Sequence, residues 1–173
     1  MPRFRRGFDV AQAHHWLSRR DRRLGAWMKR LGPIDAQPGW SRSFDPVDAL
    51  ARAILFQQLS GKAAGEIPDL RRMSVMEHDA IIAALLPIRG IGRWTVEMML
   101  MFRLGRPDIL PIDDLGIRKG AQRVDKAEAM PTPKALQARG EKWGPFRTYA
   151  SLYLWRIADF SVVPKAETNR SQG

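Results

Sequence analysis

Ten consecutive residues, Leu86-Pro87-Ile88-Arg89-Gly90-Ile91-Gly92-Arg93-Trp94-Thr95, restrict the fold of this chain more than any other stretch. Before them, Ile81, Ile82, Leu85 and Leu86 recur at helical spacing. After them a second helical run extends from Arg93 to about Leu104, where Gly105 stops it. Between the two stand Pro87, which a helix interior does not accommodate, and two glycines two residues apart, which permit a tight turn. Such a turn faces backbone N–H groups outward, and the following helix adds the positive end of its dipole at the same spot. This construction can hold a phosphate with main chain alone.

The rest of the chain carries the same helical period. Asp9 is a cap for a helix over Val10 to Arg20, with Val10, Ala13, His14 and Leu17 on one face. A basic segment from Asp21 to Leu31 stops at Gly32-Pro33, and Asp35 to Ser43 reads as a loop that carries Trp40. Asp45 and Pro46 open a core helix on Val47, Leu50, Ala51, Ile54, Leu55 and Leu59. Ser74 and Glu77 form a capping box for the helix that leads into the turn. Asp113 is placed as the cap of a helix running through Arg118, and a last helix spans roughly Pro145 to Phe160. No alternating strand and no internal repeat is found, so the expectation is an all-α fold. Residues 1–43 form basic N-terminal helices and a loop, 44–160 the core, and 161–173 a polar tail, with 1–160 as one structural domain.

Composition enters through charge and through what is missing. The net charge is +11, and residues 1–30 hold nine cations against two acids. Of the cations 22 are Arg, the better bidentate ligand for phosphate. That balance favours a polyanion, most often nucleic acid. With no cysteine, disulfides, thiolate zinc sites, cysteine-ligated iron–sulfur clusters and a cysteine nucleophile are all excluded. No apolar run reaches the length of a membrane helix, and Met1-Pro2-Arg3-Phe4-Arg5-Arg6 has no apolar signal core behind it. The expectation is a cytoplasmic protein associated with the nucleoid, with no membrane partner. His14, His15 and His78 are too scattered for a metal site.

Taken together, the motifs resemble the helix–hairpin–helix superfamily of DNA glycosylases, and within it the 3-methyladenine DNA glycosylase II group. Leu86 to Thr95 is similar to the family hairpin, with Arg89 where a small residue is common. Asp113-Asp114-Leu115-Gly116-Ile117-Arg118-Lys119 resembles its Asp-x-x-Ile/Val-x-Arg/Lys element, and counting back from Ile117 puts Asp114 on the catalytic aspartate. Phe44 to Ser60 looks like the first core helix, and Trp143-Gly144-Pro145-Phe146-Arg147-Thr148-Tyr149-Ala150 with Leu154-Trp155-Arg156 looks like the closing one. The likeness covers most of residues 16–160, with the motifs in the family's order.

The resemblance implies an enzyme that breaks the N-glycosidic bond of alkylated, cationic purines in double-stranded DNA and needs no cofactor. Asp114 would stabilise the oxocarbenium character that develops on the sugar. Trp94, Trp155, Leu115 and Met98 would line the base pocket, while Gly90, Ile91, Gly92, Arg93 and Thr95 would meet a DNA phosphate. Family members that also cut the strand carry a Schiff-base lysine where this chain has Trp94, so a monofunctional enzyme leaving an abasic site is expected. Lys119 lies beyond the aspartate motif and does not substitute for that lysine. Trp16, Trp27 and Trp143 are read as core residues. The only metal implied is a monovalent cation at the hairpin carbonyls. A non-catalytic DNA-binding module on the same hairpin is the alternative.

Three departures set further expectations. The family inserts helices, including the apolar wedge that fills the gap of a flipped base, where this chain has only Gly65 to Met73. The fold is therefore expected to be shortened there, with apolar surface exposed for a homodimer partner. Leu115 and Met98 stand where relatives often carry aromatics, which makes the pocket less aromatic. The N-terminal domain of larger members has no counterpart in 173 residues.

Overall fold

Local signals place the helices, and the computed structural model describes residues 7–40 and 75–160 of the protein. The first, α1 (Val10–Arg20), starts at Asp9, whose Oδ1 accepts the amide N–H groups of Ala11 and Gln12 at 2.9 and 3.0 Å. Its Ala13 and Leu17 are buried one above the other, one turn apart, as the spacing predicts. Asp21 closes α1 and caps α2 (Arg22–Leu31), so it stands at the junction of the two helices rather than inside the second. Gly32, at φ +74°, ends α2 in a backbone region open to glycine. In the loop that follows, Trp40 ends a short 3-10 turn (Pro38–Trp40) and is buried, its indole N–H donating to the Met101 carbonyl at 2.8 Å.

The hairpin is built from α3 (His78–Leu85) and α4 (Arg93–Phe102). Glu77 is itself the N-cap of α3, in extended backbone, so it is not the third helical residue that a Ser74–Glu77 capping box requires. Ile81, Ile82 and Leu85 face the core, whereas Leu86 is exposed as α3 ends. Helix α4 stops two residues short of Leu104. The amides of Arg103 and Leu104 both bond the Met99 carbonyl, at 3.0 and 3.1 Å, and Gly105 turns the chain at φ +60°.

Helix α5 (Leu115–Asp125) ends at Lys126 in the left-handed conformation, φ 53°. A short helix unanticipated from the periodicity, α6 (Pro133–Gly140), follows; Thr132 caps it and Pro133 stands at its start, which is its local signal. A 3-10 turn (Glu141–Trp143) leads to α7 (Arg147–Asp159), whose residues Thr148 to Leu154 are all buried. This last helix is the hub: α5 packs along it most extensively, and α1 also packs on it. Trp143 is fully buried as expected, Trp27 is half-buried, and Trp16 is exposed, contrary to a core role.

Among the described residues there is no strand, so the all-α expectation holds. No described helix is long and apolar enough to cross a membrane. The helix expected over residues 45–60, the short interval 65–73 with its wedge and dimer expectations, and the polar tail lie outside the described residues.

Candidate active site

Three elements converge on Asp114. The carboxylate caps α5: Oδ1 accepts the Ile117 amide at 2.8 Å. The Trp155 indole N–H, from α7, reaches the same oxygen at 2.9 Å. The Trp94 indole N–H, from the first turn of α4, reaches Oδ2, also at 2.9 Å. The cap and the carboxylate of interest are therefore one residue. Asp113, placed at the cap by the sequence, is exposed and precedes it. Counting from the first helical residue misses this because adjacent aspartates compete for one cap, and the neighbour whose backbone is extended just before Leu115 takes it.

The loop between α4 and α5 is held rigidly enough to aim that carboxylate. Thr148 of α7 accepts the Ile109 amide at 3.0 Å through its hydroxyl oxygen, which donates to the Arg106 carbonyl at 2.6 Å. Its own amide donates to the Pro107 carbonyl at 2.9 Å. Arg147 bonds Asp108 twice, through its backbone N–H at 3.2 Å and its guanidinium at 3.1 Å. Asp114 then turns back through its amide to the Pro111 carbonyl at 3.2 Å. Gly116 keeps the approach close: a Cβ there would stand 2.8 Å from the Trp155 ring and 3.1 Å from Asp114 Oδ1.

Around the carboxylate the surface is aromatic. Trp94 is 46% exposed and Trp155 half-buried. Phe102 stacks on Trp155 with centroids 5.9 Å apart and planes at 22°. Phe102 was not anticipated, although Trp94, Met98 and Phe102 recur every fourth residue along α4, the stripe that could have revealed it. Met98 is half-buried against the core, and Leu115, 64% exposed, flanks Asp114 at the surface.

At the hairpin, Gly90 takes φ +88° and Gly92 caps α4 without any side-chain acceptor. The amides of Arg93 and Trp94 precede the first intrahelical bond of α4, from Val96 to the Gly92 carbonyl, and a Cβ on Gly92 would meet nothing within 4 Å, so that end is open to an approaching anion. Ile91 and Thr95 are buried, at 4% and 5%, and their side chains belong to the core rather than to a phosphate surface. The Arg93 guanidinium turns along its own helix to Glu97, Nε to Oε1 at 3.0 Å, and lines a cavity with Gln137, Glu141 and Arg147.

Glu97 is a buried titratable residue outside every sequence motif. Burial pushes its carboxyl up to about 7; the Arg93 contact opposes the shift, and Asp113 and Asp114 reinforce it. A glutamate on the inward face of an amphipathic helix, between Val96 and Met98, was its signal. Elsewhere His14 Nδ1 lies 3.0 Å from the Tyr153 hydroxyl, which donates to the Gly32 carbonyl at 2.8 Å, so it serves the packing of α1 on α7. Among the described residues no group of three His, Cys, Asp or Glu converges on a metal site. The hairpin carbonyls of Leu85, Ile88 and Gly92 accept backbone amides. Those of Arg89, Gly90 and Ile91 take none among the described residues, and a backbone carbonyl oxygen is the donor type that a hard cation takes.

No family model matches the chain. It is 36% identical over 130 residues to DNA-3-methyladenine glycosylase 1 of Schizosaccharomyces pombe, an alignment covering 72% of this chain and 54% of that protein. The chain thus spans about half the length of that curated relative. Two solved structures are similar. The S. pombe 3-methyladenine DNA glycosylase in complex with abasic DNA superposes with a TM-score of 0.70 at 27% identity, over 87% of this chain and 98% of that one. A DNA-3-methyladenine glycosidase from Bacillus halodurans superposes with a TM-score of 0.68 at 27% identity, over 85% and 89%. Likeness in sequence and in all-α fold to 3-methyladenine DNA glycosylases together supports the helix–hairpin–helix DNA glycosylase superfamily for this chain, in the group like 3-methyladenine DNA glycosylase II.

Proposed function

We propose that this protein is a monofunctional DNA glycosylase that hydrolyses the N-glycosidic bond of alkylated, cationic purines in duplex DNA and leaves an abasic site. The observation that carries the reading is the Asp114 carboxylate fixed by three N–H donors beside exposed indole surface. A module that only binds DNA gains nothing from a carboxylate next to phosphates, since it repels them. A hydrolase uses it: as the bond to the base lengthens, positive charge grows on the deoxyribose, and a carboxylate held in place stabilises it without reorganising. The same group orients the attacking water and receives its proton.

The departing base is selected by what surrounds it. A purine alkylated at a ring nitrogen is cationic and is already a good leaving group. The faces of Trp94 and Trp155 prefer a cation over a neutral base by about 0.5–2 kcal/mol. Trp94 occupies the place where a Schiff-base lysine would act, so the reaction ends at the abasic site. One DNA phosphate sits at the open end of α4, on the amides following Gly92. Hairpin carbonyls would hold a monovalent cation that neutralises charge at that phosphate.

The test is release of free base from methylated duplex DNA. The wild-type protein releases it, and Asp114→Asn lowers the rate by roughly 10²–10³-fold while duplex binding persists. Wild-type protein that binds the duplex and releases no base overturns the enzymatic reading.

A further inference from the structure

We propose that the outward face of α1 formed by His15, Trp16, Arg19 and Arg20 is a second contact surface for the phosphodiester backbone of duplex DNA, separate from the Asp114 site. The inference rests on the reading of this protein as one that acts on duplex DNA. Residues 15 and 19, and 16 and 20, are i,i+4 pairs that stack in two columns on the helix, while Ala13 and Leu17 are buried. All four are exposed, and they line a groove of about 420 Å³.

Charge selects the occupant. Helix α1 contains no acidic residue. Arg23, Arg93, Arg139, Lys142 and Arg147 each pair with a carboxylate, but among the described residues neither Arg19 nor Arg20 does. Arg19 faces His15, 3.4 Å away, and the Arg20 guanidinium lies 5.8 Å from the Trp16 ring centroid. Cations in the last turn of a helix are favoured by its dipole, which accounts for two arginines there. It does not account for the tryptophan. Trp16 is 41% exposed yet held in one orientation, its N–H on the Gly144 carbonyl at 3.1 Å and its ring edge-on to Phe146. A rigid aromatic plate flanked by guanidiniums that no described carboxylate neutralises matches a DNA strand, with phosphates for the arginines and a deoxyribose for the ring.

Position makes the surface distinct. Trp16 rests on Gly144, three residues before Arg147 opens α7, whereas Trp155 meets Asp114 eight residues beyond Arg147. At helical rise the stretch from Arg147 to Trp155 is roughly 12 Å along the axis. That is too far to touch a base held at Asp114, and it corresponds to about three to four base pairs of duplex rise. The backbone contacted is therefore that flanking the lesion.

The experiment measures affinity for an undamaged duplex of about 25 base pairs across a salt series. It compares the wild type, Arg19→Ala with Arg20→Ala, Arg19→Gln with Arg20→Gln, and the charge-matched control Lys126→Asn with Lys134→Ala. Both arginine pairs are expected to weaken binding about tenfold or more at low salt and to lower the log–log salt slope by about two, with the control close to wild type. On methylated duplex the loss appears as a higher enzyme concentration for half-maximal base release. An unchanged slope, or an equal change in the control, overturns the proposal. So does loss of binding to phosphatidylglycerol vesicles with DNA binding intact, which assigns the face to a lipid surface. If no protein releases base yet the slope falls as stated, the glycosylase reading fails and the contact surface stands.

Discussion

Asp114 carries two duties that local reasoning divides between neighbours. As the cap of α5 it must lie at the helix start; as acceptor of two indole N–H groups it must face α4 and α7. Only one of two adjacent aspartates can do both, and the backbone decides which. Glu97 shows the opposite case, a charge placed where the sequence period asks for an apolar side chain. In the unfolded chain it titrates near the ordinary 4.5, and in the folded protein near 7. Between those values the folded protein holds a proton that the unfolded chain has lost, so stability falls as pH rises through this window. Glu97→Gln is therefore expected to remove that slope and to exceed wild type by on the order of 2 kcal/mol at pH 8. Urea midpoints at pH 5 and pH 8 check it, and parallel behaviour of the two proteins refutes it.

The α5–α7 pair is the element that brings the site together. Gly116 and Gly120 lie one turn apart on α5, facing α7. A Cβ on Gly120 would run into the Leu154 carbonyl, and one on Gly116 would press on Trp155. The helices approach as closely as they do because both side chains are absent. Gly120→Ala should cost about 2–3 kcal/mol through overpacking, seen as a lower Tm. Because α5 carries Asp114 and α7 carries Trp155, base release per folded molecule should fall as well; unchanged release at permissive temperature argues that the two helices move apart without disturbing the site. The helices themselves were legible from caps and stops. Asp9, Asp21 with Gly32, and Gly105 mark ends through their own side chains or backbone freedom. Helix α6 was not, since eight residues with a single buried side-chain contact, Leu136, offer little period to read beyond Thr132-Pro133.

At the scale of the molecule, the basic N-terminal helices are tied to the remainder by a buried carboxylate. Asp21 is 2% exposed; its Oδ2 accepts the Trp143 indole N–H at 2.8 Å and pairs with Arg139 at 2.6 Å. Arg139 also reaches Asp125 at the end of α5. Burial by itself would raise the Asp21 carboxyl, but the donors from Arg139 and Trp143 prevail and hold it at about 2. A depressed carboxyl contributes stability above its unfolded value of 3.8 and loses it as pH falls toward 2. Asp21→Asn is expected to cost about 2–3 kcal/mol at pH 7 and to flatten the loss between pH 4 and pH 2, read from chemical unfolding at both ends. The sequence alone determined the all-α class, the hairpin and most helix ends, because caps, glycines and hydrophobic period act over a few residues. It also marked Asp114, Trp94 and Trp155 through their motifs. Tertiary structure decided what those residues do together. The bonds from Trp94 and Trp155 to Asp114 cross 20 and 41 residues of chain, the stack of Phe102 on Trp155 is longer-range still, and the exposure of Trp16 depends on where α1 meets Gly144. A period tells a residue which face of its helix it occupies; the partner on the other side is set by how the helices pack.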